Sequence, residues 1–134
     1  MVSASHWVEK LEREGYVANP LAIAVLENLG GLTIVPETYP EALFHPCKVV
    51  FDPVRAGSGE FDRVEWWQRA CGLTLFPVAE SDPVCNVVVA ANGRVFYGRD
   101  SSFNLLGQSI EEALEVLLLA CRKPIPLLLP VWDD

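Results

Sequence analysis

Basic residues are scarce in this chain. Ten Lys and Arg stand against eighteen Asp and Glu in 134 residues, a formal net charge of −8. Phosphate backbones and anionic bilayers are bound through a cationic footprint, so neither nucleic acid nor a membrane surface is expected as the main partner. The balance favours a basic partner, or serves solubility alone. Histidine is rarer still, with only His6 and His45. Among Cys47, Cys71, Cys85 and Cys121 there is no C-x-x-C pair. No apolar run approaches the roughly 18 residues needed to span a bilayer. The opening, MVSASHWVEKLE, turns polar before the apolar region of a signal peptide can form. A cytoplasmic location is therefore expected, with the cysteines reduced.

What is present is a core. Hydrophobic residues make up 51% of the chain and charged residues 21%, which fits a packed domain and not a disordered segment. The length predicts one domain over residues 1–123, followed by a Pro/Leu-rich tail over 124–134. A first helix is predicted over Ser5–Glu14, with Ala4, Trp7, Val8 and Leu11 on one face and Gly15 closing its end. Asn19-Pro20 opens a second helix as N-cap and N1, with Ala22, Val25, Leu26 and Leu29 inward and Gly30 as its stop. Leu32–Val35 and Cys47–Phe51 read as short strands around a proline-rich loop, the second strand ended by Asp52-Pro53. Gly57-Ser58-Gly59 reads as a turn before a third helix over Phe61–Cys71, which Gly72 ends. Leu73–Val78 returns as a strand.

The hairpin signal is the clearest local feature. Asn86–Ala91 and Arg94–Gly98 flank Asn92-Gly93, the pair that best tolerates a type I′ turn. Ser109 and Glu112 then have capping-box spacing at the mouth of a final helix. Ile110, Ala113, Leu114, Leu117, Leu118 and Cys121 form its predicted core face, and Arg122-Lys123 suit the negative end of its dipole. Strands clustered between helices, without regular βαβ alternation, predict an α+β fold with a mixed, largely antiparallel sheet packed against helices.

Residues that could carry chemistry are few. His45-Pro46-Cys47 is the only close His/Cys pair, and Cys71 and Cys121 fall on predicted core faces, where a free cysteine behaves as a small hydrophobe. A structural role is favoured over zinc binding. Pairing Cys85 with His45, or Cys47 with His6, would give a nucleophile and a base, but nothing local supports either. Gly30-Gly31 and Gly57-Ser58-Gly59 lack the lysine and the strand–loop–helix context of a phosphate cradle. The acids Asp62 and Glu65, and Glu111, Glu112 and Glu115, are explained as solvated helix faces and caps. No metal, cofactor or catalytic residue is expected.

Two apolar features stand apart. Trp67 fits the buried stripe of the third helix, so Trp66, roughly 100° away, falls on the flank with Asp62, Arg63 and Arg69. It either caps the core edge or faces a partner. The tail, Pro124–Trp132, is too apolar to float in water and its prolines forbid a helix. It docks on its own domain or on another chain, so Leu127, Leu128, Leu129, Val131 and Trp132 are expected to be sequestered in a monomer or a homodimer.

Taken in order, these segments resemble the SUKH superfamily of bacterial immunity proteins, most closely its third subfamily. The resemblance rests on Trp7, Leu11 and Gly15-Tyr16, on Leu26 and Leu29-Gly30-Gly31-Leu32, and on Phe51-Asp52-Pro53. It continues through Leu75-Phe76-Pro77-Val78, Gly93-Arg94-Val95-Phe96, Leu106-Gly107, Ser109, Glu112-Ala113-Leu114 and Leu117-Leu118. Ala79 departs from it, standing where Pro-Val is usually followed by Gly. The resemblance implies a sheet packed against helices, no enzymatic activity, and a cognate polymorphic toxin as partner, often a nucleic-acid-processing effector. An acidic domain suits a basic toxin, since opposite charges speed encounter. Folded as in that family, the chain would gather Glu65, Trp66, Glu80, Asp82 and Asp100 on one partner-binding edge, from the third helix, a loop over Pro77–Pro83 and the far end of the hairpin. The other functional reading is a non-catalytic small-molecule-binding or accessory subunit domain.

Overall fold

In the computed structural model, which describes residues 2–81 and 85–129, seven strands pair in chain order into one sheet. They are β1 (Thr33–Ile34), β2 (Val49–Val50), β3 (Leu75–Ser81), β4 (Cys85–Ala90), β5 (Val95–Arg99), β6 (Ser102–Gly107) and β7 (Ile125–Pro126). Every described pairing is antiparallel. The helices are α1 (Ser5–Glu12), α2 (Pro20–Leu29), α3 (Pro53–Gly57), α4 (Phe61–Cys71) and α5 (Ile110–Leu119). This is the α+β class expected from the sequence.

Side chains alternate across a sheet. Val88 and Ala90 therefore share a face with Pro77 and, through β5, with Phe96 and Gly98. The helices α3 and α4 cover that face. A Cβ at Gly57 would strike the ring of Pro77, and one at Gly98 would sit 2.9 Å from the indole of Trp67. Val89 points to the opposite face, where it meets α2 and α5. With both faces covered, Asn86–Ala90 is buried throughout, which is why β4 reads as a continuous apolar run and not as an alternation. Trp67, Phe103 and Phe96 stack in series, with centroids 5.2 and 5.1 Å apart.

Local signals placed most elements. The Asn19 side chain accepts from the Ala22 N–H at 2.8 Å, and its amide donates to the Val89 carbonyl at 3.2 Å, so one residue caps α2 and pins it to β4. Ser109 accepts from the Glu112 N–H at 3.2 Å at the start of α5.

Several expectations need correction. The hairpin turn is not type I′: only Gly93 has positive φ (92°), and its N–H bonds to the Ala90 carbonyl at 2.9 Å. Ala91 and Asn92 thus form an ordinary turn and Gly93 alone supplies the left-handed residue, as in a longer hairpin loop. Asp52-Pro53 does more than end a strand. Asp52 accepts from the Val54 and Arg55 N–H groups, both at 3.1 Å, and starts α3, a helix the sequence reading left unassigned. Pro77–Ser81 belongs to β3 and not to a loop. The strand tolerates Pro77 because the register shifts between Pro77 and Ala79, so the proline sits at a bulge.

The strand β6 was not anticipated. Cys121 lies outside the core face of α5, because Ala120 turns left-handed (φ 51°) and ends the helix; the cysteine is exposed. Arg122 lies beyond the last turn and reaches back to Glu112 and Glu115, at 3.8 and 3.9 Å.

The tail docks in cis. Ile125 and Pro126 extend the sheet beside Leu105 and Asn104, and the Leu127 N–H donates to the Phe103 carbonyl at 2.9 Å. Leu127 and Leu129 pack against the core, but Leu128 is 96% exposed, contrary to the expectation that the whole strip is sequestered. An extended chain presents alternate sides, so one edge strand cannot hide consecutive leucines. Val131 and Trp132 lie outside the described residues.

Candidate partner-binding surface

Two of the residues expected on the partner-binding edge, Glu80 and Asp100, lie where β3, β5 and β6 meet the starts of α3 and α4. Glu80 pairs with Asn86 and Asn86 with Gly98, so Glu80 points to the face that carries α3 and α4. Asp100 sits at the reversal between β5 and β6 with φ 52°, a conformation that aspartate accepts more readily than most residues. Its carbonyl receives the Trp67 indole N–H at 3.3 Å. The fold thus brings Glu80 and Asp100 to the same end of the sheet.

Neither carboxylate is free. Arg55 meets Glu80 at 3.1 Å and Arg63 meets Asp100 at 3.1 Å, while Glu60 also holds Arg63 at 2.7 Å. The Glu80 side chain is only 13% exposed and Asp100 is 69% exposed. Glu65 is exposed on α4, and Trp66 is half-buried and packed against the core. Asp82 lies outside the described residues. Sequence reading missed Arg55 and Glu60 as members of this cluster and named Arg63 only as a neighbour of Trp66. The spacing of Glu60 and Arg63 was a usable signal, three residues apart at the mouth of a helix.

The cysteines and histidines do not assemble a nucleophile and base. The Cys47 thiol is directed at the His45 carbonyl at 3.6 Å, and the His45 ring instead meets Thr38 at 3.2 Å. Burial pushes the Cys85 thiol up, against the pull of Arg99, and burial likewise raises Cys71. Reactive cysteines need the opposite shift. Among the described residues no group of three or more His, Cys, Asp or Glu is placed to hold a metal ion, and no helix is long and apolar enough to cross a membrane.

A second concave feature lies on the opposite face. The helices α2 and α5 stand apart over Val89, leaving an apolar groove of about 590 Å³ walled by Leu21 and Val25 on one side and Leu114 on the other. The hairpin turn closes one end, Gly93 lying so near Leu21 that a Cβ there would be 3.2 Å from its methyl. Glu111 is the one charged side chain lining it, and it makes no ion pair with the described residues.

The molecule is thus a small α+β domain with an ion-paired cluster at one end of its sheet and an apolar groove on the other face. The chain belongs to the SUKH-3 immunity protein family, whose model matches residues 1–120. No curated protein and no solved structure matches it significantly.

Proposed function

We propose that this protein binds a cognate bacterial toxin and neutralises it without catalysis. The observation that carries the reading is the family match over residues 1–120, nearly the whole described domain. The net charge of −8 supports a basic, nucleic-acid-processing effector, because opposite charge accelerates encounter and suits a site that handles phosphates. The acting compartment is the cytoplasm, and neither nucleic acid, membrane nor cofactor takes part. Glu65, Trp66, Glu80, Asp82 and Asp100 form the acidic contact edge.

The test has two stages. Affinity capture from the native cell identifies the co-purifying toxin, and co-expression then measures protection from it. A toxin held in a stoichiometric complex, with growth restored, is the expected result. Protection that persists without complex formation, or turnover of any substrate lost on changing Cys47, Cys85 or His45, overturns the reading.

A further inference from the structure

We infer that the groove between α2 and α5 seats a segment of the toxin that presents apolar side chains beside a lysine or arginine. This deepens the preceding reading and rests on it for the identity of the partner. The apolar requirement follows from the walls. Leu21 is 45% exposed at the rim although Val25 and Val89, beneath it, are buried, so a partner side chain can cover apolar surface that the chain itself leaves open. The described part of the chain's own apolar strip, which ends at Leu129, does not reach it. From β7 the tail runs along β6 toward Phe103, away from the Gly93 and Ser109 end where the groove lies.

Charge selects the occupant further. Helix α5 begins at the groove, and an open helix N-terminus attracts anions. Here Ser109 already occupies the Glu112 N–H, and Glu111 and Glu112 lie in the first turn, which offsets the positive end of the dipole. Several surface acids are answered within the chain, Glu80 by Arg55, Asp100 by Arg63, and Glu112 and Glu115 by Arg122. Glu111, the acid that lines the groove, makes no ion pair among the described residues. A cation brought beside it in a partly dehydrated groove gains an ion pair at no cost to an existing one. An amphipathic basic segment laid between two helices meets both demands.

The probe is a soluble helical peptide with a leucine face and a lysine face, compared with its leucine and glutamate counterpart, followed by methyl NMR on the full chain. The lysine peptide should shift the methyls of Leu21, Val89 and Leu114, and the glutamate peptide should not. Ala24→Trp fills the groove without changing charge and should weaken binding about tenfold or more. Glu111→Gln should weaken it several-fold. Should Ala24→Trp fail to fold by thermal melt, Leu21→Arg at the exposed rim serves the same purpose.

Equal affinity for wild type and the filled variant, or shifts confined to the Asp100 end, overturns the inference. So does a small molecule that co-purifies in the groove and resists displacement by the peptide. The captured toxin separates the two readings. Full affinity for Ala24→Trp and Leu21→Arg would sink the groove and leave toxin neutralisation standing. Failure to capture any toxin would sink the neutralisation reading, while the peptide result still judges the groove.

Discussion

Arg63 of α4 meets Asp100 at 3.1 Å and so ties the first turn of that helix to the reversal between β5 and β6. The same reversal takes the Trp67 indole N–H on the Asp100 carbonyl at 3.3 Å. A partner that engages this edge therefore meets a pre-formed ion pair and not a bare carboxylate. Exposed pairs of this kind contribute little to stability, about 0–1 kcal/mol, so their removal is informative about binding and not about folding.

Reversing Glu65 and Asp82 to lysine should slow association with the captured toxin and flatten its salt dependence, leaving the melting temperature within a few degrees of wild type. Stopped-flow association at two ionic strengths checks it. An unchanged on-rate would move the contact off this edge.

Gly98→Ala should destabilise the domain by about 1–3 kcal/mol, because the new methyl meets the Trp67 indole 2.9 Å away and the Ser102 carbonyl beside it. Denaturant titration measures the loss. A melt matching wild type would mean that α4 shifts freely over the sheet.

Asn19→Ala removes the cap of α2 and the bond to the Val89 carbonyl together, and leaves that buried helix start unsatisfied. The expected cost is about 1–3 kcal/mol. Asn19→Asp keeps the acceptor and loses the donor, so it should recover part of the difference.

Stability should carry an acidic limb from Glu14. The Gly59 N–H and the Ser58 hydroxyl both donate to its carboxylate at 2.8 Å and hold its pKa below the ordinary value. A depressed carboxylate stabilises the fold above its unfolded pKa, and that contribution disappears as pH falls through the folded one. Denaturation curves of wild type and Glu14→Gln should therefore differ at neutral pH and converge in acid. A gap independent of pH would assign the effect to packing.

Ending the chain after Lys123 should lower the melting temperature while the protein stays monomeric, since Leu127 and Leu129 lose buried area and β6 loses its outer neighbour. Sedimentation alongside the melt decides. Loss of a dimer, or no change in either quantity, would contradict docking within the same chain.

Caps and turns were legible because their causes are local. Asn19-Pro20 and Ser109 announce helices through a side chain that satisfies nearby N–H groups. Asp52-Pro53 carries the same signal as Asn19-Pro20, yet it was read only as the end of a strand and the short helix it starts went unassigned, since five residues show no periodicity. The strand Ser102–Gly107 was hidden for another reason. Its pattern mixes exposed and buried positions irregularly, and its partner on the outer side is supplied by Ile125–Pro126, far along the chain. Without that strand the reversal at Asp100 could not be placed, and so neither could its bond to Arg63. The groove was illegible for the same kind of reason, being made by the separation of α2 and α5, which no single segment encodes.

The sheet order β1 to β7 follows the chain, so each strand finds its neighbour next in sequence. A chain emerging from the ribosome can add strands one at a time, each against an edge already in place. The last strand is β7, which follows α5. Without it, β6 would be the outer edge of the sheet, with unpaired backbone groups on that side. Pro124 precedes the closing strand and Pro126 lies in it, where they cannot donate to a further neighbour. The finished molecule is thereby protected against sheet growth from the side completed last.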